Sequence, residues 1–338
     1  MHILRIFRKS SPQFHSFERV FAQVGLPEGS TDTLQDWHLP EGKADPISIL
    51  KNCRAAAAQK ADVYHITGLA HYLMLALPAK KTVLTIHDSV FLYRHKGFKR
   101  WMMKKLFLDW PVKRAKVITT ISQQSKDEIV QHTGTNPDKI RVIYNPVDKH
   151  IYHRPKTFHA ERPVFLFIGV TPNKNLANTL EALKGIPCHL IMVGNFIGEA
   201  LDLLEKSGLS FEIRKNLSDQ QMADAYADAD IVLFASVYEG FGLPIIEGQK
   251  AGRAVLTSNV EPMKTVAGKG ACLVNPHQIE SIREGILRLI SDTNYREALI
   301  SEGFTNVIQF EPKYIEQQYV EVYRYMKSFK NYELTINN

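Results

Sequence analysis

Cysteine is scarce in this 338-residue chain, and Cys53, Cys188 and Cys272 are odd in number, far apart and in no Cys-x-x-Cys pair. That spacing speaks against a disulfide framework or a zinc site and leaves structural thiols in a reducing compartment as the expectation. No apolar run approaches the length that spans a bilayer, and the start Met1-His2-Ile3-Leu4-Arg5-Ile6-Phe7 is too short for a secretory signal. A cytoplasmic protein is expected. Gly-x-Gly-x-x-Gly is also missing, because Ile245 stands where the third glycine would follow Gly240 and Gly242. Without that fingerprint a dinucleotide-dependent enzyme is disfavoured, and there is no Walker-type loop or Gly-x-Ser-x-Gly. No cluster has metal-ligand spacing. Asp228-Ala229-Asp230 has the form of a metal-holding Asp-x-Asp, but it precedes an apolar strand at its amino edge and reads as a helix–strand junction.

Charge is present but uneven. Nine of the 42 Lys/Arg and one of the 35 Asp/Glu fall between Arg94 and Lys116, so the rest of the chain carries 33 against 34 and this segment holds the whole excess of +7. Its cations, Lys99, Arg100, Lys104 and Lys105 among them, alternate with Phe98, Trp101, Met102, Met103, Leu106, Phe107 and Trp110. Two readings stand: a basic amphipathic helix on the anionic inner face of a membrane, or a helix packed on its own domain with a solvated face. Nucleic acid is not an expected partner, since no recognition module accompanies the patch.

Length suggests two domains, and the pattern agrees. Short apolar runs (3–7, 63–66, 82–86, 117–120, 142–144) alternate with helical patterns (17–24, 46–59, the basic segment, and 122–132 with Ser122 as N-cap). A polar, proline-marked stretch from Lys149 to Pro163 reads as a linker. The alternation then restarts, with strands at 164–168, 190–193, 211–213, 231–234, 255–257 and 272–274. Helices are expected at 176–183, 199–206, 218–227, 244–250, 278–290 and 294–302, and a tyrosine-rich one closes the chain at 313–330. This predicts α/β architecture with two doubly wound parallel sheets whose ligands lie beyond the carboxyl ends of the strands.

The chemistry concentrates in Ser236-Val237-Tyr238-Glu239-Gly240-Phe241-Gly242-Leu243-Pro244-Ile245-Ile246-Glu247. A buried strand precedes it and Pro244 suits a helix start, so Gly240 and Gly242 occupy a strand-to-helix loop free to adopt positive φ, beside unpaired N–H groups. Such a place favours an anion. Glu247 is expected in the first turn, as a dipole partner or a ligand contact. Phe165-Leu166-Phe167-Ile168-Gly169-Val170-Thr171-Pro172-Asn173-Lys174-Asn175-Leu176 is a second strand, loop and helix start, with Asn175 as the expected N-cap and Lys174 either solvent-facing or directed at the same phosphates. His87, in Thr85-Ile86-His87-Asp88, ends a strand; His65 is a weaker case of the same placement. The loop from Arg8 to His15 leads into Ser16, a further N-cap candidate.

Glu239, seven residues, then Glu247, with Gly-Phe-Gly after the first, resembles the signature of the retaining family 4 glycosyltransferases. Gly169 with Lys174-Asn175 and Thr85-Ile86-His87-Asp88 match further motifs of that family. The resemblance covers nearly the full length and is strongest from Val164 to Pro276. It implies the GT-B fold, with two facing Rossmann-like domains (1–155 and 156–312), a cleft between them, and a last helix (313–338) packed back on the first. It implies hexosyl transfer from a UDP- or GDP-linked sugar to a glycan or lipid-linked acceptor in surface-polysaccharide synthesis, with no cofactor or metal. Glu247 would hold the ribose, and Glu239 the sugar. Lys174 and the amides of Gly240, Phe241, Gly242 and Leu243 would hold the diphosphate, Gly169, Thr171 and Asn216 would add donor contacts, and His87 would border sugar or acceptor. The chain departs from many relatives in placing Val170 and Asn173 where they carry an arginine, and in lacking a Gly-Gly pair in the first loop. A sugar-nucleotide epimerase of the same fold and a silent nucleotide-sugar-binding partner subunit remain alternatives.

Overall fold

The structure, a computed structural model, describes residues 1–9, 16–88 and 96–336, with the backbone alone at 16, 17 and 329–336. Most of the loop before Ser16 and Arg94 at the head of the basic segment therefore lie outside the described residues, as does the side chain of Ser16. Two compact units result, Met1–Pro146 with Pro312–Asn338, and Val147–Glu311.

The first unit is built on parallel strands β1 (His2–Phe7), β2 (Thr33–His38), β3 (Val63–Ile66), β4 (Thr82–Thr85), β5 (Val117–Thr120) and β6 (Ile140–Val142), ordered β2-β1-β3-β4-β5-β6. β3, β4 and β5 are buried at every position, as a parallel sheet covered on both faces requires. β2 is absent from the expected elements because Thr-Leu-Gln-Asp-Trp-His has no fully buried residue; as an edge strand it carries polar side chains that discourage further pairing. β6 starts earlier than the expected 142–144, directly after a short turn at Pro137–Lys139.

The helices of this unit are α1 (Ser16–Ala22), α2 (Pro46–Ala57), α3 (Gly97–Lys104), α4 (Trp110–Arg114) and α5 (Gln123–Thr133). Asp45 caps α2 by accepting the Ser48 N–H at 3.0 Å, and Ser122 caps α5 by accepting the Ser125 N–H at 3.1 Å. The basic segment is not one regular helix, because a π-helical turn at Lys105–Asp109 separates α3 from α4.

The second unit holds β7 (Val164–Ile168), β8 (His189–Val193), β9 (Ser210–Arg214), β10 (Ile231–Phe234), β11 (Ala254–Ser258) and β12 (Cys272–Val274), ordered β12-β11-β10-β7-β8-β9. Its helices are α6 (Leu176–Leu183), α7 (Glu199–Lys206), α8 (Asp219–Asp228), α9 (Leu243–Lys250), α10 (Met263–Ala267), α11 (Ile279–Ser291) and α12 (Thr293–Val307). The winding reverses between β7 and β10, which puts the crevice of this sheet beyond their carboxyl ends.

The stretch 149–163 is not a free linker. Ile151 is buried, Lys156 pairs with Asp230 at 2.8 Å, Arg154 with Asp224 at 3.2 Å, and His153 meets the Phe304 ring edge-on, so the segment is strapped to the second unit and the boundary falls at Pro146 rather than 155. The last helix, α13 (Pro312–Ile336), is part of the first unit: Ile315, Tyr319, Val322, Tyr323 and Met326 share a core with Ile3, Phe7, Val63, Val83 and Val117. All three thiols are unpaired, and burial pushes Cys188 up to about 11.

Candidate active site

The two central strands of the second sheet end in loops that meet. After β7, Gly169 turns the chain with φ +99°, and a methyl group there would lie 2.8 Å from Cε of Lys174, so glycine also makes room for the lysine to fold back. Asn175 occupies the N-cap position of α6, but its side chain does not cap. It takes the left-handed conformation and donates instead to the carbonyls of Ala235 at 3.0 Å and Pro276 at 2.7 Å. That one amide ties together the loops following β7, β10 and β12. Across the gap, Val237 N–H donates to the Asn173 carbonyl at 2.9 Å.

These ties deliver the charges. Lys174 Nζ lies 2.7 Å from Glu239 Oε1, with both side chains more than four-fifths shielded from solvent, and the ammonium also stands 4.7 Å from the centre of the Phe234 ring. Asn173 Nδ2 donates to the same carboxylate oxygen at 3.1 Å and to the Tyr238 carbonyl at 2.9 Å. Just before Lys174 this chain therefore has an amide that fixes Glu239 rather than a second cation.

Gly242 begins α9 with φ +112°, and a methyl group there would fall 2.9 Å from Ile245 Cδ1. The Phe241 side chain turns inward against Phe310, ring centres 5.9 Å apart, so only its backbone is left for the loop. Glu247 is not in the first turn as expected; α9 starts at Leu243, with no acidic residue in its first turn, and Glu247 opens the second. Its half-buried carboxylate accepts a 2.5 Å hydrogen bond from Tyr226, a fully buried residue of α8. Beside it, Gly248 lets α9 lie close on the sheet: a methyl group would come within 2.9 Å of Cγ2 of both Val232 and Val255. Ser236, fully buried at the head of the loop, has a hydroxyl without a hydrogen-bond partner, while its carbonyl accepts from Ser258 at 2.6 Å.

The structure thus gathers Gly169, Lys174, Glu239, Gly240, Phe241, Gly242 and Leu243 around one crevice edge, with Glu247 one turn into α9. Thr171 is exposed on the same loop. Asn216 is not brought to them: it is exposed at the end of the edge strand β9, which β8 separates from β7. Asp228 and Asp230 are structural, pairing with Arg214 and Lys156. Sequence reasoning missed Tyr226, Asn173 as an organiser, Ser236 and Gly248, none of which differs in its local pattern from an ordinary core or turn residue.

In the first unit, His87 follows β4. Its Nε2–H donates to the Thr67 carbonyl at 2.7 Å, and desolvation lowers its pKa to about 4, so the ring is neutral near pH 7. His65 is not a strand-end residue. It lies inside β3 beneath α13, bonded to the Tyr323 hydroxyl at 2.8 Å and Thr85 at 2.6 Å, and burial drives its pKa well down. Lys99, Arg100 and Trp101 are exposed, whereas Lys104 and Lys105 share Asp109 at 2.7 and 2.8 Å. Among the described residues no helix is long and apolar enough to cross a membrane.

Comparison with known proteins gives two matches in the family models: residues 148–305 match "Glycosyl transferases group 1" and residues 23–150 match "Glycosyltransferase Family 4". O-antigen chain mannosyltransferase B of Escherichia coli is 27% identical over 289 residues, covering 78% of this chain and 74% of that protein. GDP-mannose:cellobiosyl-diphosphopolyprenol alpha-mannosyltransferase of Xanthomonas campestris is 26% identical, covering 79% and 75%. Among solved structures, Anabaena Alr3699/HepE in complex with UDP and glucose superposes with a TM-score of 0.74 at 17% identity, covering 95% and 99%.

Proposed function

This chain belongs to the family 4 glycosyltransferases of GT-B fold, and from that premise we propose that it moves a hexose from a nucleoside-diphosphate sugar, GDP-mannose foremost, to a glycan or lipid-linked acceptor in surface-polysaccharide synthesis. The observation that carries the reading is the meeting of Lys174, Asn173 and Glu239 beside the start of α9, at the reversal of the second sheet. The donor diphosphate lies against Lys174 and the amides beginning at Gly242, where the helix dipole favours negative charge. Glu239 Oε1 is already held by Lys174 and Asn173, which leaves Oε2 directed to sugar hydroxyls. Glu247, oriented by Tyr226, accepts from the ribose.

In the transfer step the acceptor oxygen bonds to the anomeric carbon as the bond from that carbon to the phosphate oxygen breaks, and the acceptor proton passes to the departing diphosphate. Attack on the face the diphosphate leaves retains configuration. Negative charge accumulates on the leaving oxygens, and Lys174 with the α9 amides stabilises it there, which is why the proposal needs no metal. His87 borders the sugar or acceptor as a neutral imidazole. Lys99, Arg100, Trp101, Lys104 and Lys105 form part of a surface that rests on the inner face of the membrane.

The test is a thermal-shift series with GDP, UDP and ADP, followed by product analysis with the donor that stabilises most. The reading expects GDP to stabilise the protein, Glu247→Ala to abolish the effect, and GDP-mannose to yield GDP and a mannoside. Stabilisation by UDP alone would move the donor to a UDP-sugar. An altered free nucleotide sugar would identify an epimerase, and no stabilisation by any nucleotide would defeat the proposal.

A further inference from the structure

The first unit carries a polar cavity of about 660 Å³, walled by the π-helical turn and α4 on one side and the end of α5 with the turn before β6 on the other. Lys104, Lys105, Lys113 and Lys139 line it, with Asp109 as their carboxylate counterpart. Asp109 is already shared by Lys104 and Lys105, and among the described residues Lys113 and Lys139 make no ion pair. Four ammonium groups line one concavity against one carboxylate, which leaves three positive charges unbalanced. A protein surface with no anion to meet has no reason to concentrate them.

The position separates this cavity from the candidate active site. Lys113 and Lys139 precede β5 and β6, at the amino edge of the parallel sheet, whereas Thr67 and His87 follow β3 and β4 at its carboxyl edge. Trp110, half exposed, stands at the cavity wall. The preceding α3 buries none of its residues: Phe98 is 74% and Trp101 54% exposed, with their rings stacked at 5.5 Å, and Met102 is open beside them. Trp110 on the wall and the bare aromatic face of the adjoining α3 set exposed rings next to these cations, the pairing that favours a bilayer interface with anionic head groups.

We propose that this cavity is a phosphate-binding site for the head group of an anionic phospholipid, gripped by Lys113 and Lys139 while α3 seats its aromatic face at the membrane interface. The lipid source rests on the membrane reading above; the phosphate site does not.

The experiment measures binding to phosphatidylcholine vesicles with and without phosphatidylglycerol, and binding of inorganic pyrophosphate by calorimetry, for the wild type, Lys113→Gln/Lys139→Gln and Lys99→Gln/Arg100→Gln. The second pair removes the same charge outside the cavity. Expected are pyrophosphate binding lost only in the cavity variant, and binding to the anionic vesicles weakened roughly thirty-fold there, at about 1 kcal/mol per lysine, but less in the other pair. Equal weakening by both pairs with unchanged pyrophosphate binding would overturn the site and leave diffuse attraction in its place. Pyrophosphate bound at Lys113 and Lys139 without any vesicle binding would overturn the membrane reading and the lipid source together, and assign the cavity to a soluble phosphate ester.

Discussion

Both units wind six parallel strands into a doubly wound sheet, but the second sets its chemistry on the loops after its central strands, whereas the first buries three histidines, His65 within β3 and His71 and His87 on the segments that follow β3 and β4. At the ends of β7 and β10, Lys174 and Glu239 are shielded from solvent by more than four-fifths, on loops held by asparagine amides donating to backbone carbonyls. In the first unit His65, His71 and His87 are each at most 5% exposed, and its unbalanced charge sits on a helical segment at the surface. The same topology therefore offers loop ends in both units, and what a unit does with them follows from whether the polar groups are tied to loops or to the core.

The sharpest separation of the units should come from acid. Desolvation lowers His71 and His87 from 6.5 to about 4, and His65 in the same direction. Unfolded, these rings protonate near 6.5; folded, they stay neutral to about 4, so the stability they contribute is complete above pH 6.5 and is lost as pH falls toward 4. Each depression of that size is worth on the order of 3 kcal/mol. Trp37, Trp101 and Trp110 all belong to the first unit, and the second buries no histidine among the described residues. Tryptophan fluorescence should consequently show denaturation in urea at progressively lower concentration between pH 6.5 and 4, ahead of the loss of far-ultraviolet dichroism. Coincident transitions at every pH would erase the contrast.

Next in size is Gly248→Val, which must push α9 away from Val232 and Val255 and should cost about 3 kcal/mol, seen in dichroism while the tryptophan signal holds its midpoint. Tyr226→Phe removes a hydroxyl from a half-buried carboxylate and should weaken nucleotide binding about tenfold in calorimetry, with little change in thermal midpoint. The smallest effect belongs to the surface of the first unit: Phe98→Ser/Trp101→Ser should leave urea stability within about 0.5 kcal/mol of the wild type, since α3 buries none of its residues. A larger loss would mean that α3 is structural after all.

Most strands of the second sheet were legible as short apolar runs, several to the residue, and in the central β7 and β10 burial on both faces leaves no room for polar positions. β2 was illegible for the opposite reason, an edge strand with no fully buried residue. The Glu239-to-Glu247 spacing and Lys174 were legible through their resemblance to the family's motifs, because residue type alone left Glu247 a dipole partner or a ligand contact and Lys174 solvent-facing or directed at phosphates. What spacing could not give was orientation: that Asn175 ties three loops instead of capping, that Glu247 opens the second turn, and that Tyr226 holds it depend on contacts between segments far apart in the chain. His65 misled because a strand-end histidine and a core histidine look alike until α13 covers one of them.

The central claim, that departing diphosphate charge is taken up between Lys174 and the amide turn opening α9, is tested most directly by the single-turnover rate of Lys174→Ala at saturating donor. The account predicts a fall of about 10²–10³-fold, with donor affinity changed far less. A rate within a few-fold of the wild type would contradict it.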